Sequence, residues 1–464
     1  MKPLNGKTIS ILGLGASGTA AARLALENGG EVYVSDWRVE PSAAARGAEL
    51  RSLGARVDLG GHDLERLARS DTVVVSPGIA PDAPVLQALR SRGVGWVSEP
   101  EFAFRFIAGP LIAVTGTNGK TTTAALTAHL LRQGGVEVGL GGNIGGTFGP
   151  PASELALLQP APDWFVVEVS SFQLSGIVDF APDIGVVTNL APDHLDRYAR
   201  VEDYYADKGR IFETATPRSR WVLNADDPGV EGLAGDAPGQ RFWFSTRGAD
   251  CFSAGKEPHA FLKEGVLTLK GDFPSQEDTP LLPQEELPLL GRHNAANALA
   301  AALTANLAGV PARKLAPGLG SFQPLPHRLE PVGDAFGLRW VNDSKATNVA
   351  ATAGALESLD GPLVLLLGGK DKGEDLAPLR TAMHEGVRGV VLYGEARQRM
   401  ATTLAGVGRL EVVDGTFEDA VSAARALAEP GDLILLSPAC SSFDMFENYE
   451  ARGRRFATLA RGEG

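Results

Sequence analysis

Cysteine is nearly absent from this chain, which has two in 464 residues. Two cysteines, Cys251 and Cys440, are too few for a disulfide framework or a cysteine-rich zinc site. A low cysteine content is compatible with a reducing compartment such as the cytoplasm. Long apolar runs are missing too, since none approaches the roughly 20 residues of a membrane span. An excess of basic residues is also missing, and a net charge of −13 argues against a nucleic-acid groove. We therefore expect a cytoplasmic protein without membrane or nucleic-acid partners, whose phosphate sites are built locally from loops and lysines.

Apolar strands alternate with helical stretches along the chain, which predicts an α/β protein with mostly parallel sheets. A length of 464 residues allows about three domains of roughly 150 residues each. Linkers at "FRFIAGP" and "PLPHRLE" predict three domains, over residues 1–107, 108–325 and 326–464. The polar stretch 250–290 is predicted to form short strands or loops. Ligands of such sheets bind beyond the carboxyl ends of the strands, so the residues that follow each apolar run are the site candidates.

The first apolar strand ends in the glycine-rich turn "GLGASG". Gly13, Gly15 and Gly18 have the spacing that lets a phosphate approach the N-terminus of the next helix. Asp36 ends the following strand, where a ribose or base contact is expected. The spacing alone does not decide between a dinucleotide, another nucleotide or phosphate, and a mere tight turn.

A second glycine-rich turn, "GTNGKTT", lies between another strand and helix. It is shorter than the usual phosphate loop, because Val114 stands where the first glycine would be. Its chemistry is intact: backbone N–H groups surround a phosphate, Lys120 contacts the β- and γ-phosphates, and the hydroxyl of Thr121 binds Mg²⁺. The turn predicts an ATP or GTP site. Two phosphate turns suit a ligase or kinase better than a hydride-transfer enzyme.

Two further residues are candidate metal ligands. Glu168 lies in the apolar strand of "VVEVSSFQL", where a carboxylate is costly unless it is paired or ligating, and His194 follows another strand end. Each is more often structural when taken singly, but beside a phosphate loop both favour a Mg²⁺ site. The helix of "GRHNAANALAAALTANLAG" places Asn294 and Asn297 on one face.

The whole chain resembles the Mur ligases of peptidoglycan synthesis, and two motifs, "NDSKATN" and "SPACSSFD", resemble those of the member that adds D-glutamate. The other motifs that carry the resemblance are "TGTNGKTTT", "EVSSFQL", "DHLDRY", "GRHNAANALAA", "PHRLE" and "FENYEARG". The resemblance implies a Rossmann-like N-terminal domain, a P-loop-type central ATPase domain and a Rossmann-like C-terminal domain. It implies a monomer that uses ATP to join D-glutamate to UDP-N-acetylmuramoyl-L-alanine through an acyl phosphate.

The resemblance also implies a role for particular residues. Two Mg²⁺ ions are held by Thr121, Glu168, His194 and Lys208, the last as a carbamate formed with CO₂, and these residues with Lys120 are catalytic. ATP contacts Gly116, Thr117, Asn118, Gly119, Lys120, Thr121, Thr122, Asn294, Asn297, Arg328 and Asp343. The uridine-diphosphate substrate contacts Ala16, Ser17, Gly18, Asp36, Arg38, Ser76, Gly78, Asn143 and His194. D-Glutamate contacts Lys345, Thr347, Lys372, Ser442, Phe443 and Tyr449.

Several alternatives remain at this point. An NAD-dependent dehydrogenase predicts nicotinamide binding without ATP hydrolysis, a non-catalytic module predicts ATP binding without turnover, and another Mur ligase adds a different amino acid. Lys370 competes with Lys372 for the glutamate contact, although alignment favours Lys372. Trp37 stands where the family has a small polar residue, which leaves the uracil contact open.

Overall fold

The computed structural model describes residues 4–145, 148–195, 197–248, 258–271, 277–359 and 361–463. Within these ranges the strands form three sheets, of five, nine and six strands, with helices between them. The described chain divides into two compact units. The first unit comprises Met1–Leu190, Glu202–Leu281 and Ala298–Gly318, and the second comprises Ala191–Val201, Leu282–Asn297 and Leu319–Gly464. The first unit holds the first sheet and nearly all of the second, and the second unit holds the third sheet.

The first sheet is parallel throughout and has the order β3-β2-β1-β4-β5, as in one half of a dinucleotide-binding fold. Its strands are β1 (Thr8–Leu12), β2 (Glu31–Asp36), β3 (Arg56–Leu59), β4 (Thr72–Val75) and β5 (Val97–Ser98). The accompanying helices are α1 (Ala16–Glu27), α2 (Pro41–Ser52), α3 (Leu64–Arg69), α4 (Pro84–Ser91) and α5 (Glu99–Phe104). The strand order reverses between β1 and β4, which is where such sheets bind ligands.

The second sheet has the order β14-β13-β12-β11-β10-β9-β6-β8-β7, with β12 and β13 antiparallel. Its strands are β6 (Leu111–Thr115), β7 (Val138–Gly142), β8 (Trp164–Glu168), β9 (Ile184–Val187), β10 (Arg220–Asn224), β11 (Gln240–Ser245), β12 (Pro258–Lys263), β13 (Val266–Leu269) and β14 (Thr279–Pro283). The helices in this part are α6 (Lys120–Gln133), α7 (Ala152–Leu155), α8 (Ser171–Leu174), α9 (Val201–Gly209), α10 (Pro228–Ala234), α11 (Arg292–Leu307) and α12 (Ala312–Ser321). Strand β6, which precedes the second glycine-rich turn, pairs with β8 and β9 in parallel, so the ends of all three meet at one edge.

The third sheet has the order β15-β16-β20-β17-β18-β19, and β15 alone among its described pairings runs antiparallel to its neighbour. Its strands are β15 (Glu330–Ala335), β16 (Leu338–Asn342), β17 (Leu363–Gly368), β18 (Val387–Tyr393), β19 (Arg409–Val412) and β20 (Leu433–Leu436). Its helices are α13 (Val349–Leu356), α14 (Ala377–Ala382), α15 (Arg397–Thr403), α16 (Phe417–Leu427) and α17 (Tyr449–Ala460). Strand β17 is buried at every position, as a strand covered by helices on both faces must be.

The α/β class with mostly parallel sheets is confirmed. Strands β15 and β19 were not among the predicted strands, because Gly and Asp interrupt the apolar pattern of β15 and charged residues that of β19. The stretch 250–290 contains β12, β13 and β14, and its residues 250–257 and 272–276, Cys251 among them, lie outside the described residues. The domain boundaries after residues 107 and 325 fall between the strands of successive sheets and stay predictions. Within the described chain, the helices all fall short of the length and hydropathy that a membrane crossing needs.

Candidate active site

A cavity of about 1030 Å³ opens at the switch point of the first sheet. Six of the residues predicted to contact a uridine diphosphate line it: Ala16, Ser17, Asp36, Arg38, Ser76 and Gly78. The turn after β1 closes on the sheet, because the backbone N–H of Gly13 donates to the carbonyl of Ser35 (2.8 Å) and the hydroxyl of Ser76 donates to the carbonyl of Gly13 (3.2 Å). Helix α1 begins with no side-chain cap, so its first N–H groups suit an anion.

Three predicted substrate residues do not line this cavity: Gly18, Asn143 and His194, the last of which belongs to the second unit. Gly18 is buried and does not line the cavity; a Cβ there would stand 1.9 Å from the carbonyl oxygen of Gly13. Its glycine lets helix α1 pack on the turn, which is a packing role. Asn143 lies at the second sheet, where its side chain donates to Glu168 (3.1 Å).

Asp36 organises the edge of this cavity. Its carboxylate accepts the backbone N–H of Leu14 (2.6 Å) and binds the guanidinium of Arg38 (2.9 Å). Burial opposes ionisation, but these hydrogen bonds hold the pKa of Asp36 below its usual range. The carboxylate therefore shapes the phosphate turn as well as the residues after β2.

His62 also lines the cavity and was not predicted. Its Nδ1 lies 2.9 Å from the hydroxyl of Ser35, and burial lowers the pKa of its imidazole despite the opposing charge of Asp36. The sequence held a signal for it, since His62 follows the end of strand β3.

The second glycine-rich turn is held in shape by the end of β9. Asn189 accepts the N–H of Thr117 on its carbonyl (2.8 Å) and the N–H of Asn118 on its side chain (2.9 Å). Gly116 has φ of 135°, and a Cβ there would stand 2.0 Å from the hydroxyl of Thr188. The N–H groups that open helix α6, at Lys120 and the residues after it, point where a phosphate is expected. Thr188 and Asn189 were missed, although "VVTNL" places them directly after an apolar strand.

Lys120 lies over this turn and donates to the carbonyl of Thr117 (2.7 Å). Thr121 and Thr122 are buried in the first turn of α6, beside the same loop. The predicted nucleotide residues Gly116 to Thr122 thus form one continuous loop and helix start.

Glu168 ends β8 next to this loop and is buried. One carboxylate oxygen accepts from Asn143, and the other, Oε2, has no hydrogen-bond partner among the described residues. A buried carboxylate oxygen without a partner is costly, and a cation would relieve that cost. Within the described ranges, His, Cys, Asp and Glu side chains do not cluster in threes that could hold a metal.

Lys208 projects from α9 beneath the same loop and is 1% exposed. Its Nζ donates to the carbonyl of Gly116 (2.8 Å) and lies 4.3 Å from the ring centroid of Tyr204. The hydroxyl of Tyr204 in turn donates to the hydroxyl of Thr117 (3.3 Å). Lys208 is therefore not a solvent-exposed helix lysine.

In the second unit, Asp193 is the centre of a buried polar cluster that the sequence did not predict. Its carboxylate accepts from Lys372 (2.8 Å) and from the side-chain amide of Asn348 (2.9 Å). Burial opposes ionisation, but Lys372 and His194 hold the pKa of Asp193 well below its usual range. His194 has φ of 57°, a left-handed conformation, and its Nε2 lies 3.8 Å from Asp193.

Lys370 and Lys372, the two candidates for the contact with D-glutamate, differ in how deeply their side chains are buried. Lys370 is exposed, and its backbone N–H donates to the carbonyl of Ser441 (2.9 Å). Lys372 is largely buried in the pair with Asp193. Burial of Lys372 beside a carboxylate favours the prediction that it is the functional lysine.

Of the remaining predicted ATP residues in the second unit, Asn294, Asn297 and Asp343 are buried and Arg328 is half-buried. Asn297 donates to Asn294 across one turn of α11 (3.1 Å), which confirms that both lie on one face. Asp343 follows β16 and accepts from Ser437 (2.8 Å) and from the backbone of Leu329. Burial raises the pKa of Asp343 to about 7, with the charge of Arg328 opposing it.

The other predicted glutamate residues lie after β16 and β20. Lys345 donates to the hydroxyl of Tyr449 (2.9 Å), and its Nζ lies 4.7 Å from the centroid of that ring. Thr347 is half-buried in the same loop and Ser442 is buried, whereas Phe443 beside it is 69% exposed.

Comparison with known proteins agrees with this geometry. The sequence matches the families described as "Mur ligase MurD-like, N-terminal domain" over residues 7–98, "Mur ligase middle domain" over 114–305 and "Mur ligase, glutamate ligase domain" over 327–440. The chain is 41% identical to the UDP-N-acetylmuramoylalanine--D-glutamate ligase of Acidobacterium capsulatum (98% of this chain, 96% of that one) and 40% identical to that of Geobacter metallireducens (99% and 98%).

Solved structures share the fold at low sequence identity. A pseudomurein peptide ligase type C from Methanothermus fervidus matches with a TM-score of 0.61 at 22% identity, covering 94% of this chain and 97% of that one. The UDP-N-acetylmuramate-alanine ligase of Thermotoga maritima matches with a TM-score of 0.59 at 18% identity (99% and 100%). The three matched domain families and the relatives of about 40% identity over the full length show that this chain belongs to the Mur ligase family.

Proposed function

We propose that this chain joins D-glutamate to UDP-N-acetylmuramoyl-L-alanine, with ATP as phosphate donor, in the cytoplasmic synthesis of peptidoglycan precursors. The curated relatives carry the corresponding name over their full length. The structural observation that carries the proposal is the group around the second phosphate turn: Lys120 over the loop, the buried Glu168 with an unpartnered oxygen, and the buried Lys208 against Gly116. No observation of the described residues favours a dehydrogenase.

The reaction has two steps. A carboxylate oxygen of the L-alanyl substrate attacks the γ-phosphorus of ATP, the bond to the bridging oxygen breaks, and ADP leaves. The amine of D-glutamate then attacks the acyl carbon, the C–O bond to phosphate breaks, and the nitrogen loses a proton as the amide forms. The products are the amide, ADP and inorganic phosphate.

The first step brings two anions together. Two unit charges 4 Å apart repel by about 4 kcal/mol at an effective dielectric of about 20, which is about three powers of ten in rate. Lys120, whose ammonium already lies at the loop, is positioned to offset this repulsion on the β- and γ-phosphates. The N–H groups that open α6 add partial positive charge at the same place.

The residues present also fit magnesium, which the ATP-dependent Mur ligases need. The unpartnered oxygen of Glu168 and the hydroxyl of Thr121 would hold one ion, and a carbamate on Lys208 would offer oxygen ligands to a second. Bound Mg²⁺ supplies charge neutralisation of the phosphates.

The carbamate on Lys208 has a physical reason. An unmodified ammonium would repel a nearby cation, whereas a carbamate offers anionic oxygens and keeps an N–H that can donate to Gly116. If the proposal holds, ¹³C-bicarbonate gives the protein a carbamate carbon signal that Lys208→Ala lacks, and Lys208→Ala loses nearly all activity. Full activity of Lys208→Ala would overturn this part of the proposal.

The two substrate ends have separate candidate sites. The cavity at the switch point of the first sheet, here called the N-terminal cavity, binds the uridine diphosphate, with the phosphates at Ala16 and Ser17. D-Glutamate, which has two carboxylates, suits the lysines and hydroxyls of Lys345, Thr347, Lys372 and Ser442, because each carboxylate can pair with a cation.

A phosphate-release assay tests the proposed function. Protein, ATP, Mg²⁺ and UDP-N-acetylmuramoyl-L-alanine are combined with D-glutamate, L-glutamate or L-lysine, and we expect turnover with D-glutamate alone. Lys120→Met, which keeps the side-chain length without the charge, is expected to abolish turnover. No phosphate release with D-glutamate would sink the proposal, and turnover with L-lysine would point to a Mur ligase that adds a different amino acid.

A further inference from the structure

Trp37 is 73% exposed although it lines the N-terminal cavity. Among the other tryptophans, Trp221, Trp243 and Trp340 are buried, and Trp96 and Trp164 are half-buried. An indole left in water contributes little to the core and carries a large apolar surface. Trp37 therefore has no packing role that explains its place at the cavity edge.

The backbone on both sides of Trp37 is fixed. Asp36 accepts the backbone N–H of Arg38 (2.8 Å), which closes a turn with Trp37 at its centre. The guanidinium of Arg38 returns to the same carboxylate. A ligand that contacts this indole therefore pays a small entropy cost for ordering the backbone around it, which favours binding.

The cavity offers few unused polar groups beside Trp37. Asp36 is committed to Leu14 and Arg38, and Nδ1 of His62 lies against Ser35. Much of the remaining wall is apolar and follows β4, at Ile79, Ala80, Ala83, Pro84, Val85 and Ala88. A flat ring with an apolar face matches this lining better than a group that must be read by several hydrogen bonds.

We infer that the indole of Trp37 stacks on the base of the uridine diphosphate and is a specificity-determining residue of this cavity. The inference rests on the proposed function for the identity of the nucleotide. Base-to-aromatic stacking depends on the flat face of the ring, so removing the indole weakens binding of a nucleotide without affecting a bare diphosphate.

The experiment measures calorimetric Kd values of UDP and of inorganic pyrophosphate for the full chain and three variants. We expect Trp37→Ala to weaken UDP binding by about tenfold or more, and Trp37→Phe to stay within about threefold of the unchanged protein because a ring remains. Val39→Ala is the matched control, since Val39 is equally exposed two residues on but does not line the cavity; it should change neither Kd. UDP should quench tryptophan fluorescence in the unchanged protein, and Trp37→Phe should lose that response.

The outcomes separate this inference from the proposed function. Equal UDP affinity in Trp37→Ala and the unchanged protein overturns the stacking, and ligase activity can then still stand. A parallel loss of pyrophosphate affinity in Trp37→Ala also overturns it, because the residue would then be shaping the phosphate turn. UDP binding that depends on Trp37, in a protein that releases no phosphate from ATP, would leave the stacking intact and sink the ligase proposal.

Discussion

At the scale of single residues, Asp36, Glu168 and Lys208 are buried polar side chains, and each is held by a partner far away along the chain. Asp36, Glu168 and Lys208 were predicted as ligand contacts, and the structure adds their neighbours: Leu14 on Asp36, Asn143 on Glu168 and Gly116 on Lys208. Such partners come from other strands, and no spacing along one chain identifies them.

Glu168→Gln removes one negative charge from a buried carboxylate whose Oε2 has no hydrogen-bond partner in the described part of the chain. We expect kcat to fall by about 100-fold or more, since a loss at a metal ligand exceeds the typical second-shell effect, and the Mg²⁺ concentration for half-maximal rate to rise. Phosphate release measured over a magnesium titration checks both. Glu137→Gln, an exposed residue of the same unit, is the control and should leave the titration unchanged.

Asp193→Asn removes the carboxylate that holds Lys372. If Lys372 binds a carboxylate of D-glutamate, its loss of position should raise KM for D-glutamate by about tenfold, on the order of 1.4 kcal/mol, and change KM for the uridine substrate much less. Initial rates at varied D-glutamate check this, with the exposed Asp334→Asn as control. Equal changes in both KM values would argue against a positioning role for Asp193.

At the scale of elements, helix α5 fastens the first sheet to the second within the first unit. Its Glu101 is fully buried, and one carboxylate oxygen accepts the backbone N–H groups of Val178, Asp179 and Phe180 (2.8–3.0 Å). Glu99, two residues earlier, accepts from the backbone of Ser153 (2.5 Å). The sequence did not predict the burial of Glu99 and Glu101, because carboxylates are rarely buried unless they are paired, and their partners lie far along the chain.

Glu101→Ala leaves the backbone N–H groups of Val178, Asp179 and the buried Phe180 without their acceptor. We expect a loss of about 2 kcal/mol or more in stability and a lower Tm for the first unit, followed by scanning calorimetry. Glu101→Gln retains a carbonyl oxygen and should fall between the unchanged protein and Glu101→Ala. A Tm for Glu101→Ala equal to that of the unchanged protein would contradict this account of the junction.

Glu99 makes the same junction sensitive to pH. Burial raises its pKa to about 7 from the ordinary 4.5, so the folded protein holds this proton more tightly than the unfolded chain. The stabilisation is therefore fully present below about pH 4.5 and is lost as the pH rises through about 7. Glu99→Gln, which is always neutral, should match the Tm of the unchanged protein at pH 5 and exceed it by several degrees at pH 8.

The exposed Glu31→Gln is the control for this comparison and should follow the unchanged protein at both pH values. A Glu99→Gln variant whose Tm difference did not grow between pH 5 and pH 8 would show that Glu99 does not titrate in this range.

At the scale of the whole molecule, the alternation of strands and helices was sufficient to predict the α/β class and the mostly parallel sheets. It was insufficient for the antiparallel pairings of β13 and β15, because β13 has only four residues and Gly and Asp interrupt the apolar pattern of β15. The alternation also predicted three domains. The first and second sheets belong to one compact unit, because they pack together through side chains such as Phe102 and Leu155. The monomeric state stays a prediction.

Two units with separate cores should respond differently to a ligand of one of them. One apolar cluster that contains both Ile11 and Phe165 lies in the first unit, and two clusters, around Leu365 and around Trp340, lie in the second. UDP at about 100 times its Kd should stabilise the first unit by about 2.7 kcal/mol and raise its transition in scanning calorimetry. Trp340 is the single tryptophan of the second unit, so Trp340→Phe assigns the fluorescence-detected transition. A single transition that UDP shifts as a whole would contradict this independence.

The carboxylate of Asp36 serves the phosphate turn through Leu14 and the base side through Arg38. If this cavity binds the uridine diphosphate as proposed, a cell under selection by an inhibitor of the cavity has little to gain from changing Asp36, because a substitution disturbs the contacts to Leu14 and to Arg38 at once. Fewer resistance mutations should accordingly arise against antibacterial compounds that bind Asp36 than against compounds that depend on the exposed indole of Trp37.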